Sequence, residues 1–293
     1  GAQGSSVGKL GDVRYVYTWA GERIFKVVSF YLLRYSSGRL GDIPPEHAHE
    51  VAEARWLPRG WAHFALQFAV WFGFYAVYQV VRGAADREVA EAFWNGTLVI
   101  EAENRLHALI EPTLQGFVQS SGVLIFATSY TYWLSQFAVV GLTLLYVYFR
   151  HYDRFADFRN WLIGANVIGL IGYVLMPTAP PRMFPEWGFT DTLADYASVN
   201  HESGLIAFAA NPYAAMPSLH AMDALIVGIV MASVCRSRLA RALWLVWPAW
   251  VCFAVMGTGN HYWLDCVAGF AIALLTALLL FRKRLPRVFA GTA

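Results

Sequence analysis

Two histidines and a carboxylate stand where apolar runs begin. Ala215-Met216-Pro217-Ser218-Leu219-His220 opens one run, and Gly257-Thr258-Gly259-Asn260-His261-Tyr262-Trp263-Leu264-Asp265 opens another. A third polar stretch, Pro177-Thr178-Ala179-Pro180-Pro181-Arg182, closes the run before them. His261 and Asp265 are four residues apart, so a helix would carry them on one face. Asp265 then accepts a hydrogen bond from one ring nitrogen of His261. That fixes the tautomer and leaves the other nitrogen as a nucleophile. The same carboxylate would steady the cation formed when the ring is phosphorylated. His220 opens a different helix and, protonated, would donate to a leaving alkoxide. Arg182 can hold two phosphate oxygens in bidentate fashion. Pro217 suits a first helical turn, whose free N–H groups, with the Ser218 hydroxyl, form an anion site. Phosphoryl transfer asks mainly for positioning and charge neutralisation, and this set offers both.

Each part also has a plain structural reading. A histidine at a helix end can simply be packed, and Arg182 can anchor to lipid headgroups. Asp265, one turn inside an apolar run, needs a partner, and His261 is the nearest. A metal site of His220, His261 and Asp265 is a further alternative, without the closely spaced His or Cys ligands that would support it. The expectation is no metal and no cofactor.

The elements that must position these residues are membrane helices. Of the 293 residues, 57% are hydrophobic and only 14% charged, well away from the balance of soluble domains. That argues against a soluble enzyme, a disordered chain or a disulfide scaffold. Cys235, Cys252 and Cys266 lie in apolar runs and read as buried thiols. A net charge of +2 gives nucleic acid nothing to bind.

Six spans of about 20 apolar residues are expected: Trp61 to Val81, Tyr132 to Phe149, Trp161 to Met176, Pro217 to Cys235, Leu243 to Met256 and Trp263 to Phe281. The opening Gly-Ala-Gln-Gly-Ser-Ser reads as an engineering remnant, and no signal peptide follows it. Residues 11–35, interrupted by Arg14, Glu22, Arg23, Lys26 and Arg34, suggest an amphipathic helix on the membrane surface. Residues 38–45 read as a loop and 46–58 as a short surface helix. Residues 84–115 are too charged to span and suggest one or two amphipathic helices; 116–130 suggest a re-entrant piece.

Basic clusters at Arg150, Arg154 and Arg159, at Arg236, Arg238 and Arg241, and at Arg282, Lys283, Arg284 and Arg287 place both termini in the cytoplasm. All three polar motifs then share the outer leaflet of a plasma (inner) membrane. The expected division is an interfacial arm over 1–60, a six-helix catalytic domain over 61–287 and a tail over 288–293.

Pro217-Ser218-Leu219-His220 and His261-x-x-x-Asp265 resemble the second and third signature motifs of the type 2 phosphatidic acid phosphatase superfamily. The stretches ending at Arg182 and Asp265 are most similar to its inositolphosphotransferase branch, which includes inositol phosphorylceramide synthases and bacterial relatives. Ile110-Glu111-Pro112 and Gly188-Phe189-Thr190-Asp191-Thr192 also resemble bacterial members. The likeness runs over about residues 60–281. It implies an all-α, six-helix membrane bundle and metal-independent chemistry through a phosphohistidine. His261 would be nucleophile, Asp265 its partner, His220 the general acid, and Ser218 a phosphate contact. The chain departs from the phosphatase branch, which usually carries Ser-Arg ahead of the nucleophilic histidine; here Ala254 and Val255 stand there. Arg182 must then carry more of the phosphate charge, or Arg14 or Arg105 must help.

The implied function is transfer of a phosphate-linked headgroup between lipids. The donor is a phospholipid or polyprenyl phosphate, and the acceptor a lipid, a sugar or water. With water the enzyme is a lipid phosphate phosphatase, the alternative reading. A non-enzymatic lipid-binding protein, or a permease with Asp265 as proton site, is the rival from another class. Vanadium haloperoxidases share the site shape but are soluble, unlike this composition. His220 and His261 are expected to face one cavity, with nearest ring nitrogens within roughly 8 Å, the span of about two hydrogen bonds. Trp244, Trp247, Trp250 and Trp263 either shape its entrance or simply pack. Asn104, His107 and Glu111 either cap the site from one helical face or form the wet face of a surface helix.

Overall fold

The computed structural model describes residues 3–19, 22–37, 58–85, 89–197 and 213–282. The expected surface helix over 46–58, the loop over 38–45 and the basic residues beyond Arg282 lie almost wholly outside them. The chain divides into two compact units, Gly1–Phe68 and Ala69–Ala293.

The first unit corrects an expectation. Residues 11–35 form no helix. Strand β1, Gln3–Trp19, pairs antiparallel with β2, Glu22–Ser37, from Gln3↔Ser37 to Trp19↔Glu22. The physical reason is composition: Val13, Tyr15, Val16, Tyr17, Thr18 and Trp19 face a partner run rich in Val, Ile, Phe and Tyr, residues that suit a pleated strand. The charges that suggested a helix are interspersed among them. Within the opening stretch, Gly4, Ser5 and Ser6 pair with Tyr35, Arg34 and Leu33.

The rest is helical. Helix α1 covers Gly60–Ala85, around the first predicted span. The charged stretch after it makes two helices, α2 (Val89–Arg105) and α3 (Glu111–Gln119). The second predicted span begins ten residues earlier than expected. It runs continuously from Gly122 to Arg150 as α4 (Gly122–Leu134), a π-helical turn at Ser135–Val139 and α5 (Val140–Arg150). Then come α6 (Tyr152–Leu175), a short α7 (Thr192–Ala197), α8 (Leu219–Val234), α9 (Arg238–Gly257) and α10 (Trp263–Phe281).

Four helical stretches among the described residues are long and apolar enough to cross a membrane: Gly122–Arg150, α6, α9 and α10. Their outward faces are apolar, with Leu142, Leu175, Leu243 and Leu279 each more than 60% exposed, which suits a lipid surround. Helix α8 is shorter, at 16 residues. It is buried on nearly every side and packs against α6, α9, α10 and the π-helical turn. A helix apolar all round belongs in such a core. Its contact with α10 depends on Gly269, where a Cβ would collide with the Ser218 carbonyl. This close approach brings the first turns of α8 and α10, and so the two histidines, side by side.

Candidate active site

Both histidines sit at helix starts. Ser218 caps α8, its Oγ accepting the Ala221 N–H at 3.3 Å, and His220 follows in the first turn. Pro217 lies before that cap rather than in the first turn. Ser218 is fully buried and does not line the cavity described below. Its hydroxyl serves the helix.

His261 lies in the turn between α9 and α10. Gly259, at φ 75°, makes that turn, where a side chain would be strained. The His261 Nδ1 lies 2.8 Å from the Ala215 carbonyl oxygen and 3.3 Å from Asp265 Oδ2. A carbonyl only accepts, so Nδ1 carries the proton and Nε2 keeps its lone pair. The Asp265 bond expected from the four-residue spacing is present, but the shorter bond goes to a backbone atom. Asp265 is fully buried and also accepts the Tyr262 N–H at 2.8 Å, capping α10. It lies behind His261 and, unlike both histidines, does not line the cavity. Burial, reinforced by the positive Arg182, pushes the His261 imidazole down to about 3, against the opposing pull of the Ala215 carbonyl. The ring is therefore neutral at physiological pH.

The His220 and His261 ring centroids are 5.5 Å apart, with the planes at 61°. Such rings hold their nearest nitrogens inside the expected limit. Tyr132 stacks on His220 at 4.6 Å and 20°, a contact the sequence did not signal. Arg182 donates from Nη1 to Asn260 Oδ1 at 2.6 Å, and its Nε lies 3.6 Å from Asp191 Oδ2. Its own N–H bonds the Gly259 carbonyl at 2.9 Å. Asn260 and Asp191 thus aim the guanidinium, and the Arg182 backbone is tied to the turn that carries His261. Arg105 instead pairs with Glu101 on the surface, and Arg14 lies in β1.

His220, His261, Arg182 and Asn260 line one cavity of about 360 Å³. Tyr132, Trp133, Gln136, Asn166 and Asp223 line it too, with Trp71, Phe72, Phe74 and Phe137. Of the two readings of the four tryptophans, the structure shows packing, and none lines the cavity: Trp244 meets Trp247 edge-on, Trp250 bonds Thr131 at 2.9 Å, and Trp263 bonds the Ala108 carbonyl at 2.9 Å.

Asn104, His107 and Glu111 do not share a face, because α2 ends before α3 begins. Asn104 and His107 are exposed. Glu111 is fully buried, as is Glu103. Glu111 accepts the Trp263 N–H at 2.7 Å and Glu103 the Leu264 N–H at 3.1 Å. With Asp265 on Tyr262, three carboxyl groups take three successive N–H groups at the start of α10, donors that a helix end otherwise leaves unpaired. Burial first, and the neighbouring Glu111 second, push the Glu103 carboxyl up to about 9. Glu103 therefore holds a proton at neutral pH, which relieves repulsion within the cluster.

With this geometry in place, the comparisons with known proteins are direct. The family model described as PAP2 superfamily matches residues 97–279. A phosphoinositol dihydroceramide synthase of Bacteroides thetaiotaomicron (strain VPI-5482) is 31% identical over 160 residues, 50% of this chain and 51% of that protein. The chain thus spans about half the length of the curated relative it matches. No solved structure matches. The matched region contains α3 to α9, the second half of α2, nearly all of α10, and every histidine, arginine and carboxylate of the cavity, and the chain belongs to the PAP2 superfamily.

Proposed function

We propose that this chain is a membrane lipid phosphotransferase that moves a phosphate-linked headgroup between lipids through a phosphohistidine on His261. One observation carries the reading: His261 is held through Nδ1 by two acceptors, and its remaining nitrogen shares a cavity with His220 and Arg182.

Arg182 and the free N–H groups opening α8 neutralise the phosphate. Nε2 of His261 attacks phosphorus, and the bond from phosphorus to the donor's alcohol oxygen breaks. A protonated His220 gives that oxygen its proton. The cationic phosphoimidazole is balanced by Asp265 through Nδ1–H. His220, now neutral, takes the proton from the acceptor hydroxyl, whose oxygen attacks phosphorus. The phosphorus–nitrogen bond breaks, and both histidines return to their starting states. Water as acceptor gives hydrolysis. The relative's name, a synthase of phosphoinositol dihydroceramide, supports a lipid acceptor.

In this reading α1 and α8 join the four long apolar stretches as spans, giving six. The basic clusters support a cavity at the extracytoplasmic leaflet of a plasma membrane, with cytoplasmic termini. Phe72 and Phe137, both more than half exposed at the cavity wall, suit lateral entry of lipid. The test uses purified protein in lipid micelles with EDTA, a panel of phospholipids and polyprenyl phosphates, and mass spectrometry of products beside His261→Ala. A new phosphate-linked lipid, lost in the variant, is the expected result. Free phosphate alone makes the enzyme a phosphatase. Activity that survives His261→Ala, or that needs a divalent metal, contradicts the relay.

A further inference from the structure

The relay leaves unused the one carboxyl group that lines the cavity among the described residues. Asp223 lies three residues after His220 in α8, on the same face and about 4.5 Å farther along the helix. It is 4% exposed. A carboxyl group within a membrane helix is costly and calls for a task. Asn166 of α6 donates to Asp223 Oδ1 at 2.7 Å and, from the same amide nitrogen, to the Leu162 carbonyl at 3.0 Å. Both amide hydrogens of Asn166 are thereby committed. The polar atoms left over on the pair are the second Asp223 oxygen and the Asn166 amide carbonyl, and both residues line the cavity. Gln136, in the π-helical turn, is a further polar residue of the lining, and such turns gather at functional sites.

Hydrogen-bonding groups in an apolar cavity fit a hydroxyl. A phosphate belongs with Arg182, a cation of the lining. A hydroxyl-rich headgroup attached to that phosphate would share Arg182 and Asn260. Asp223 lies farther along the membrane helix than His220, on the side where the chains of a lipid run.

We propose that Asp223, oriented by Asn166, binds a second hydroxyl of the acceptor lipid alcohol, a few bonds from the hydroxyl that reacts. This rests on the lipid-transferase reading and adds to it: the preferred acceptor is a lipid diol rather than a lipid with one hydroxyl. Asp223 is a specificity residue in this proposal and takes no proton from the reaction.

The test measures equilibrium binding without turnover, using the full chain carrying His261→Ala in phosphatidylcholine nanodiscs. The probes are radiolabelled short-chain N-acyl sphinganine and its 3-deoxy analogue, which lacks the second hydroxyl. The diol is expected to bind several-fold to about ten-fold tighter, the range for one hydrogen bond. Adding Asp223→Asn, or separately Asn166→Ala, is expected to bring the ratio close to one. The ratio is read within each protein, so a general loss of folded material cancels. Equal binding of both alcohols by the parent overturns the proposal, as does an unchanged ratio in Asp223→Asn. If Asp223→Asn yields no folded protein, Asn166→Ala decides by the same ratio. A parallel transfer assay with His261 intact separates the two readings. Discrimination without transfer overturns the transferase alone, and transfer without discrimination overturns the diol site alone.

Discussion

The two helix starts that carry the histidines are built differently. At the start of α10, His261 is fixed through Nδ1 by the Ala215 carbonyl and Asp265, and the backbone behind it is held by Asp265, Glu111 and Glu103. At the start of α8, no carboxylate touches His220 among the described contacts. It stacks on Tyr132 and interacts with that residue's backbone, and a serine caps its helix. A ring that must attack phosphorus along one line gains from a locked orientation. A ring that carries a proton first to the leaving alcohol and then from the acceptor must serve two positions, which a stacked ring allows. The unequal support fits the proposed roles, with His261 as the nucleophile and His220 as the proton carrier.

Removing either ring tests that contrast most strongly. His261→Ala is expected to cut turnover at least about 10⁴-fold, since the covalent path is lost. His220→Ala is expected to cost about 10²–10⁴-fold, the usual share of general acid–base catalysis. Product assays on both variants check the order. Equal losses with a full phosphoryl burst in neither would blur the assignment.

The lock itself can be graded. Asp265→Asn leaves the Ala215 carbonyl in place, so turnover is expected to fall about ten- to hundred-fold rather than vanish, as one charge-assisted hydrogen bond is lost. A fall as deep as that of His261→Ala would make the carboxylate, and not the carbonyl, the principal anchor. On the other side, Tyr132→Leu removes the stacked ring and is expected to lower kcat several-fold, about the 0.5–1.5 kcal/mol of an aromatic pair. Tyr132→Phe should restore it. Steady-state kinetics of the two variants check this.

The smallest effect concerns stability. Glu103 binds its proton more tightly in the folded chain than in the unfolded one, with its value moved from 4.5 to about 9. The stabilisation is complete below the unfolded value, declines as pH rises between the two, and is lost above the folded one. The melting temperature is therefore expected to drift down as pH climbs towards about 9 and then level off. Glu103→Gln, which cannot ionise, is expected to flatten this slope. A slope unchanged in that variant would place the titration elsewhere.

Part of this was legible in the sequence, and the rest was hidden for identifiable reasons. The helical spans followed from apolar runs, and the His261–Asp265 contact followed from their spacing. The Ala215 carbonyl had no signature, because every residue has one and only the fold selects it. Ser218 suited an anion contact by position, and its oxygen also caps α8, a local role that the sequence did not separate from the first. Glu103 carried no signal of its own, and the sequence left Glu111 open between a cap over the site and the wet face of a surface helix. Their burial comes from α2 and α3 closing over α10, a long-range contact invisible to local pattern. The β1–β2 hairpin was missed for another reason. Scattered charges hid a run of β-branched and aromatic residues whose partner lay just beyond the turn.

The most direct test of the central claim is to trap the covalent intermediate. The enzyme would be mixed with a phospholipid donor in EDTA, quenched in alkali, where phosphohistidine survives, and digested for mass spectrometry. The account requires a phosphate-linked adduct on the peptide carrying His261, on a ring nitrogen, and its absence in His261→Ala. Continued turnover with no adduct, or with the adduct on His220, would contradict it.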